Sequence, residues 1–540
     1  MEESSTKAQE KIQLSKLTLV LIESLKSIKS RPRLDDLSKL TVSQTVSLVA
    51  ILYEKIRNAV EYREDHQVRR AAIERMLRRR LAINPTGQGE AENLLRELLW
   101  ARYYDNGSLG GVDIDKVQEI IDKFQLIKKI IVTGRSLEKQ QYLNKFLIDL
   151  LTCEIEEILS PAETQRSASY NFFIFQVLRR KIKIEGLTED QRDSFFLAAL
   201  EKTYRRSDKS YQRYHLFTTF YKPINQYSNS ELETLATKIP AIFNKIEEII
   251  KSPYAESLAR FTRKQLPSFL ILFVIIKTKF KDISTVLTDK TKLWSEIDAT
   301  CREKYQQIGV RLRNLAIRSF IYIFLTKMIF ALILELPISQ YFYGDVNMTS
   351  IIINSIFPPV LMLLIISFFH LPGEDNTKKI YQRIINIVDV DTTFETTVAY
   401  LPKKPREKKP ILIFGFTIFY SITFIITLGL MYEVLNYFNF NLVSQAVFLF
   451  FVSVVTFFSY RIKQFVNEYR LEEKQSALGP VVDFFFMPIL SLGKFFSGEL
   501  AKLNFFIFIF DFLIEAPFKF VFEIVEEWIS FVKKRKEEII

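Results

Sequence analysis

Lys327 sits near the middle of an apolar run, 317–336, that contains FIYIFLTKMIFALILEL. A charge at the centre of a bilayer is costly, so such a residue faces a protein interior, a water-filled cavity or a partner. Asp511, Glu515, Asp483 and Glu335 are the carboxylates that could answer it. Lys327, Asp511 and Glu515 form the candidate intramembrane polar site. Its two readings are a structural ion pair or snorkelling lysine on one side, and a substrate or ion site on the other. Pro358-Pro359 lies in the next apolar run, with Thr326, Thr349, Ser350 and Asn354 as nearby polar groups. Paired prolines interrupt the helical hydrogen-bond ladder. Broken helices of this kind line transport sites or serve packing alone.

The most basic stretch is VRRAAIERMLRRRL, carrying Arg69, Arg70, Arg75, Arg78, Arg79 and Arg80. Clustered arginines attract nucleic acid or anionic lipid headgroups through counterion release. The same pattern also describes a solvated helix face paired with Glu64, Glu74 and other carboxylates. The net charge of +12 favours anionic surfaces without choosing among them.

A third pattern begins after Pro517. Phe518, Val521, Phe522, Val525, Trp528, Ile529 and Val532 fall on one face at helical spacing. Glu523, Glu526 and Glu527 precede Lys533–Lys536, the charge order that a helix dipole favours. The glutamates in the middle of the polar face point to docking on protein ahead of lipid contact, because lipid-surface helices carry Lys and Arg there.

Catalytic and metal signatures are missing. Three histidines, His66, His215 and His370, lack a second histidine at ligand spacing, and Cys153 and Cys301 stand far apart. A zinc site and a disulfide framework are therefore not expected. HExxH, GxSxG and P-loop patterns do not occur. The sequence points to no enzyme activity and no cofactor.

The elements that must position these residues follow from the distribution of apolar side chains. Of the 48 phenylalanines, 34 lie after Asn314. Four runs approach the ~20 residues that a spanning helix needs: 317–336, 348–370, 411–431 and 441–460. The loop 337–347 has no Lys or Arg, 371–410 has eight, and 433–440 has none. Positive loops stay cytoplasmic. The expected topology has both termini cytoplasmic and two short loops outside, in the cell membrane. Met1 to Lys11 has no apolar core, so no signal peptide is expected.

Before the first span the periodicity is helical. Expected helices cover about 8–28, 41–63, 66–81, 89–103, 114–131 and 137–159, with a polar linker at 160–169. The run FLILFVII, 269–276, is too short to cross and reads as a buried helix. The fold class is all-α: a polytopic helical membrane protein with a large N-terminal helical region. The expected divisions are 1–160 and 161–283 as helical cytoplasmic domains, 284–316 as an amphipathic stalk, 317–460 as the membrane domain, and 461–540 as interfacial or re-entrant helices ending in the amphipathic helix.

This organisation fits a membrane-anchored scaffold or tether with a protein partner or self-association. The alternatives are a transporter or channel using Lys327 and the Pro358-Pro359 kink, and a ribosome- or nucleic-acid-associated membrane factor using the arginine helix.

Overall fold

The computed structural model describes residues 11–28, 38–43, 64–344, 347–389, 399–401, 410–471, 479–502 and 528. The chain divides into two compact units, one built mainly on Ser15–Arg263 and the other on Lys264–Phe394 with Arg406–Phe512.

The N-terminal unit is a helical stack. Its elements are α1 (Lys16–Lys26), α2 (Asp65–Ile83), α3 (Glu90–Trp100), α4 (Gly111–Val132), α5 (Leu137–Leu159), α6 (Pro161–Arg179), α7 (Glu189–Thr203), α8 (Lys209–Phe220) and α9 (Asn229–Lys251). A three-residue strand β1 (Ile182–Ile184) pairs in parallel with β2 (Ala399–Leu401). Caps fix several starts: Ser15, Thr188, Asp208 and Ser228 each accept a backbone N–H of the first turn. Residues 161–169, expected as linker, are the first turns of α6. Pro161 stands at its first position, where a missing N–H costs nothing. Helix α5 runs through the centre, with Phe146, Leu150, Cys153 and Ile155 all fully buried. Phe146 stacks on Phe243 of α9 at 4.1 Å.

Helix α10 (Pro253–Thr278) follows, and the division between the units falls within it. Its apolar run buries Phe269, Ile271, Leu272, Ile275 and Ile276 completely, in keeping with its length.

The C-terminal unit continues with α11 (Ile283–Thr288) and α12 (Lys290–Phe330). Asp289 caps α12 by accepting from the Thr291 and Lys292 amides. The amphipathic stalk and the first apolar run are therefore one helix. A π-helical turn (Ala331–Glu335) carries it into α13 (Leu336–Tyr343), which stops at Gly344 with φ +69°. Next come α14 (Met348–Ser367), α15 (Glu374–Val388), α16 (Pro410–Tyr437), α17 (Leu442–Val466) and α18 (Gly479–Lys502). Among the described residues, four helices are long and apolar enough to cross a membrane: Lys290–Tyr343, Met348–Ser367, Phe414–Tyr437 and Leu442–Tyr460. The fold is thus all-helical and polytopic, with the spans following a helical N-terminal region.

Polar side chains tie the ends of the bundle. At one end the Asn376 amide donates to the Tyr305 hydroxyl and to the Tyr469 carbonyl, both at 2.8 Å, and its oxygen accepts from Leu471 N at 2.9 Å. Arg470 donates to the His370 carbonyl at 2.6 Å. One asparagine on α15 thereby joins the start of the first span to the exit of the fourth. Elsewhere Asn347 caps α14 and donates to the Asn439 carbonyl at 3.2 Å, joining the two loops that lack Lys and Arg.

Helix α18 is one continuous helix whose apolar stretch is Phe486–Ser497. It lies close along α17: a Cβ on Gly493 would collide with the Ser453 carbonyl oxygen and sit 2.7 Å from Phe457 Cβ. That oxygen is backbone and cannot step aside. Gly493→Ala is expected to force the helices apart and to destabilise the bundle by about 1–3 kcal/mol. Thermal unfolding of the purified protein in detergent reads the loss, and an unchanged transition would refute the close crossing.

Candidate intramembrane polar site

Lys327 finds its partner on its own continuous helix. Its ammonium donates to Glu335 Oε2 at 3.0 Å, and both side chains have 0% exposure. The other carboxylate oxygen accepts from the Asn354 amide at 2.7 Å. That amide also donates to the Ser444 carbonyl at 3.1 Å, so α14 and α17 are drawn into the same centre. The Lys327 ammonium stands 4.8 Å from the ring centre of Phe451 and 5.9 Å from that of Phe330. The negative faces of aromatic rings stabilise a desolvated cation. The lysine and the carboxylate thus neutralise each other inside the bundle, with an amide and two rings around them.

One acceptor is left over. Asn354 Oδ1 is buried and has no hydrogen-bond partner among the described residues. Pro358, one turn on, supplies no N–H to the Asn354 carbonyl, so the backbone beside that amide is also short of a donor. Of the residues expected at this site, Lys327 is central. Asp511 and Glu515 lie outside the described residues, as does the Asp483 side chain. Glu335 and Asn354 do the pairing.

The N-terminal unit holds a second polar cluster that no sequence motif announces. Four of its carboxylates, Asp149, Glu154, Glu156 and Glu157, come from α5. Asp149 bonds the Arg213 guanidinium and accepts from Ser210 Oγ at 2.8 Å, and Arg213 also holds Glu247 at 2.7 Å. Glu156 accepts from the Tyr211 hydroxyl at 2.8 Å and from Arg69 at 2.7 Å. His215 lies between Glu157, at 2.8 Å, and Glu201, at 2.6 Å. Glu154 accepts the backbone amides of Ile224 and Asn225 at 3.1 and 2.7 Å, which fixes the turn before α9. Tyr211 and Tyr214, both on α8, are buried in this cluster.

These environments move proton affinities. Burial pushes Glu154 up from its usual 4.5 to about 7, against the pull of its two amide donors. Burial and Arg205 oppose charge on His215, but Glu201 and Glu157 outweigh them and raise its pKa. Burial would raise Glu201 as well, yet His215 and Arg205 hold it down at about 2. A group with a raised folded pKa stabilises below its unfolded value and loses that contribution as pH rises through the folded value. Glu154 and His215 therefore act with the same sign, while the Glu201 contribution is lost only in strong acid. The unfolding temperature should fall between pH 5 and pH 8. Glu154 supplies at most on the order of 3 kcal/mol of that slope. Glu154→Gln should flatten the profile of the full chain in detergent; an unaltered slope would contradict the assignment.

The arginine helix is α2. Arg69 binds Glu156 and Glu163 at 2.7 Å each, and Arg70 binds Glu74 at 2.7 Å and Asp208 at 2.9 Å. Arg78 binds Glu74 at 2.8 Å, Arg79 binds Glu97 at 2.6 Å, and Arg80 binds Glu90 at 3.2 Å and also Glu97. Arg75 is half-buried on the same helix. Glu64, expected among the partners, pairs with Arg206 at 3.2 Å. Much of the positive charge on α2 is thus matched within the fold. Of the expected docking face, Trp528 is exposed. Phe518, Val521, Phe522, Val525, Ile529 and Val532 lie outside the described residues. Cys153 and Cys301 are free and buried. Among the described residues, no group of three or more His, Cys, Asp or Glu is placed to hold a metal ion. Compared with known protein families, with curated proteins and with solved structures, the chain has no match.

Proposed function

We propose that the protein is a membrane-anchored scaffold, in which the spanning helices hold a large helical region at a membrane so that it can engage protein partners. The observation that carries this reading is the closed Lys327–Glu335 pair. Both charges are fully buried and spent on each other, with Asn354 completing the carboxylate's partners. Internal neutralisation of this kind suits a clasp that fixes helix packing, since a buried charge that is paired and hydrogen-bonded no longer opposes burial.

The orientation belongs to the same proposal. The two loops without Lys or Arg are joined through Asn347 and Asn439. The loop with eight basic residues would then face the cytoplasm by the charge rule, with both termini on that side of the cell membrane.

A second reading, transport, is favoured by one observation: the unpartnered Asn354 Oδ1 beside Glu335, next to the Pro358-Pro359 interruption. Reconstitution separates the two. Liposomes containing the purified protein and a proton- or potassium-sensitive dye should leak no faster than protein-free liposomes. Proton or potassium flux that Lys327→Leu abolishes would replace the scaffold reading with the pathway.

A further inference from the structure

Glu335 stands eight residues after Lys327, and in an α-helix that spacing is wrong for contact. At 3.6 residues per turn, position i+8 lies about 80° away from position i around the helix, whereas i+7 lies only about 20° away. Leu334 would therefore take the place facing Lys327, and Glu335 would point to the flank. The observed helix is different. Over Ala331–Glu335 it forms a π turn, with the Leu336 amide bonding the Ala331 carbonyl. A π turn inserts one extra residue into the helical register. The insertion gives Glu335 the angular place of i+7, directly on the Lys327 face, and the 3.0 Å ion pair follows. Leu334 is correspondingly turned out and is among the exposed large apolar side chains.

The sequence supplies a reason for the π turn at this point. The next residue but one is Pro337. In a regular α-helix its nitrogen would have to serve the Ile333 carbonyl, but proline has no N–H and its ring collides with that carbonyl. Widening the turn relieves the collision, while the missing donor stays missing in either register.

We propose that Pro337 is the positioning residue of the polar site: it sets the π turn that delivers Glu335, in place of Leu334, to Lys327. The proposal rests on reading the Lys327–Glu335 pair as the clasp of the bundle. It turns a helix irregularity into a register device, in which carboxylate position and residue 337 are matched to each other.

The test is a cycle of variants of the full chain, read as unfolding temperature in detergent. The exchange Leu334→Glu with Glu335→Leu moves the carboxylate back by one residue. With Pro337 present, the exchanged chain should lose about as much as Lys327→Met loses. Adding Pro337→Ala to the exchanged chain should restore most of that loss, because a regular α-helix then brings the moved carboxylate to Lys327. Pro337→Ala in the native arrangement should give no comparable gain. Equal effects of Pro337→Ala in the two arrangements would overturn the register role, since they would reflect helix propensity alone. The clasp reading fails separately, if Lys327→Met itself leaves the unfolding temperature unchanged.

Discussion

Lys327→Met should lower the stability of the detergent-solubilised protein by about 3–5 kcal/mol, the usual cost of removing one partner from a buried ion pair. The loss comes from what stays behind. Glu335 is fully buried, and without the ammonium its carboxylate keeps only the Asn354 amide. The Lys327 ammonium in turn sits against Phe451 and Phe330, so Glu335→Gln strands a desolvated cation between two rings and should cost a comparable amount. Lys327→Met combined with Glu335→Gln should recover most of the loss, because an uncharged pair carries no stranded charge. Such recovery is the signature of direct coupling. Two single variants that each match the native protein would show that the pair does not hold the bundle.

The second large effect is expected at Arg213. Its guanidinium joins Asp149 of α5 to Glu247 of α9 and lies over the Phe243 ring at 5.0 Å. Asp149 is almost wholly buried. Arg213→Met should therefore leave the buried Asp149 without its cation, while Glu247 keeps only Lys251, at a cost of about 3–5 kcal/mol. For a unit of this size that corresponds to a fall of roughly 10 °C in unfolding temperature. Adding Asp149→Asn and Glu247→Gln should restore much of it. A single variant that melts with the native protein would remove the network from the stability of the N-terminal unit.

Some of this was legible in the sequence, for identifiable reasons. The four spans could be read because a soluble core seldom needs an apolar run of membrane length. The second, third and fourth runs fall close to the helices observed, and the first is the apolar stretch of a longer helix. The short run at 269–276 could be assigned to a protein core by length alone. Glu335 could be named as a counter-ion, but helical phase argued against it. The π turn that brings it into register is signalled only by Pro337, a residue more often read as a loop marker.

The N-terminal network was harder to see because its partners are distant in the chain. Glu74 lies four residues from both Arg70 and Arg78, and that spacing is visible as helix periodicity. Glu97, Glu156 and Asp208 reach other arginines of the helix, or Arg70 itself, from other parts of the chain, and no local pattern connects them. Nor does any local pattern announce that the Tyr211 hydroxyl serves Glu156 inside the core. The residues 160–169 looked like a linker because they are polar, yet Pro161 at a helix start was the stronger signal.

Cross-linking in intact membranes, with mapping of the linked residues, tests whether the spanning helices anchor a helical region that recruits protein. Near-stoichiometric protein partners should be joined through the region 64–263, and retained by variants that disrupt only the spans' exposed faces. Recovery of the chain linked solely to copies of itself through its spanning helices, with no partner on the N-terminal unit, would contradict it.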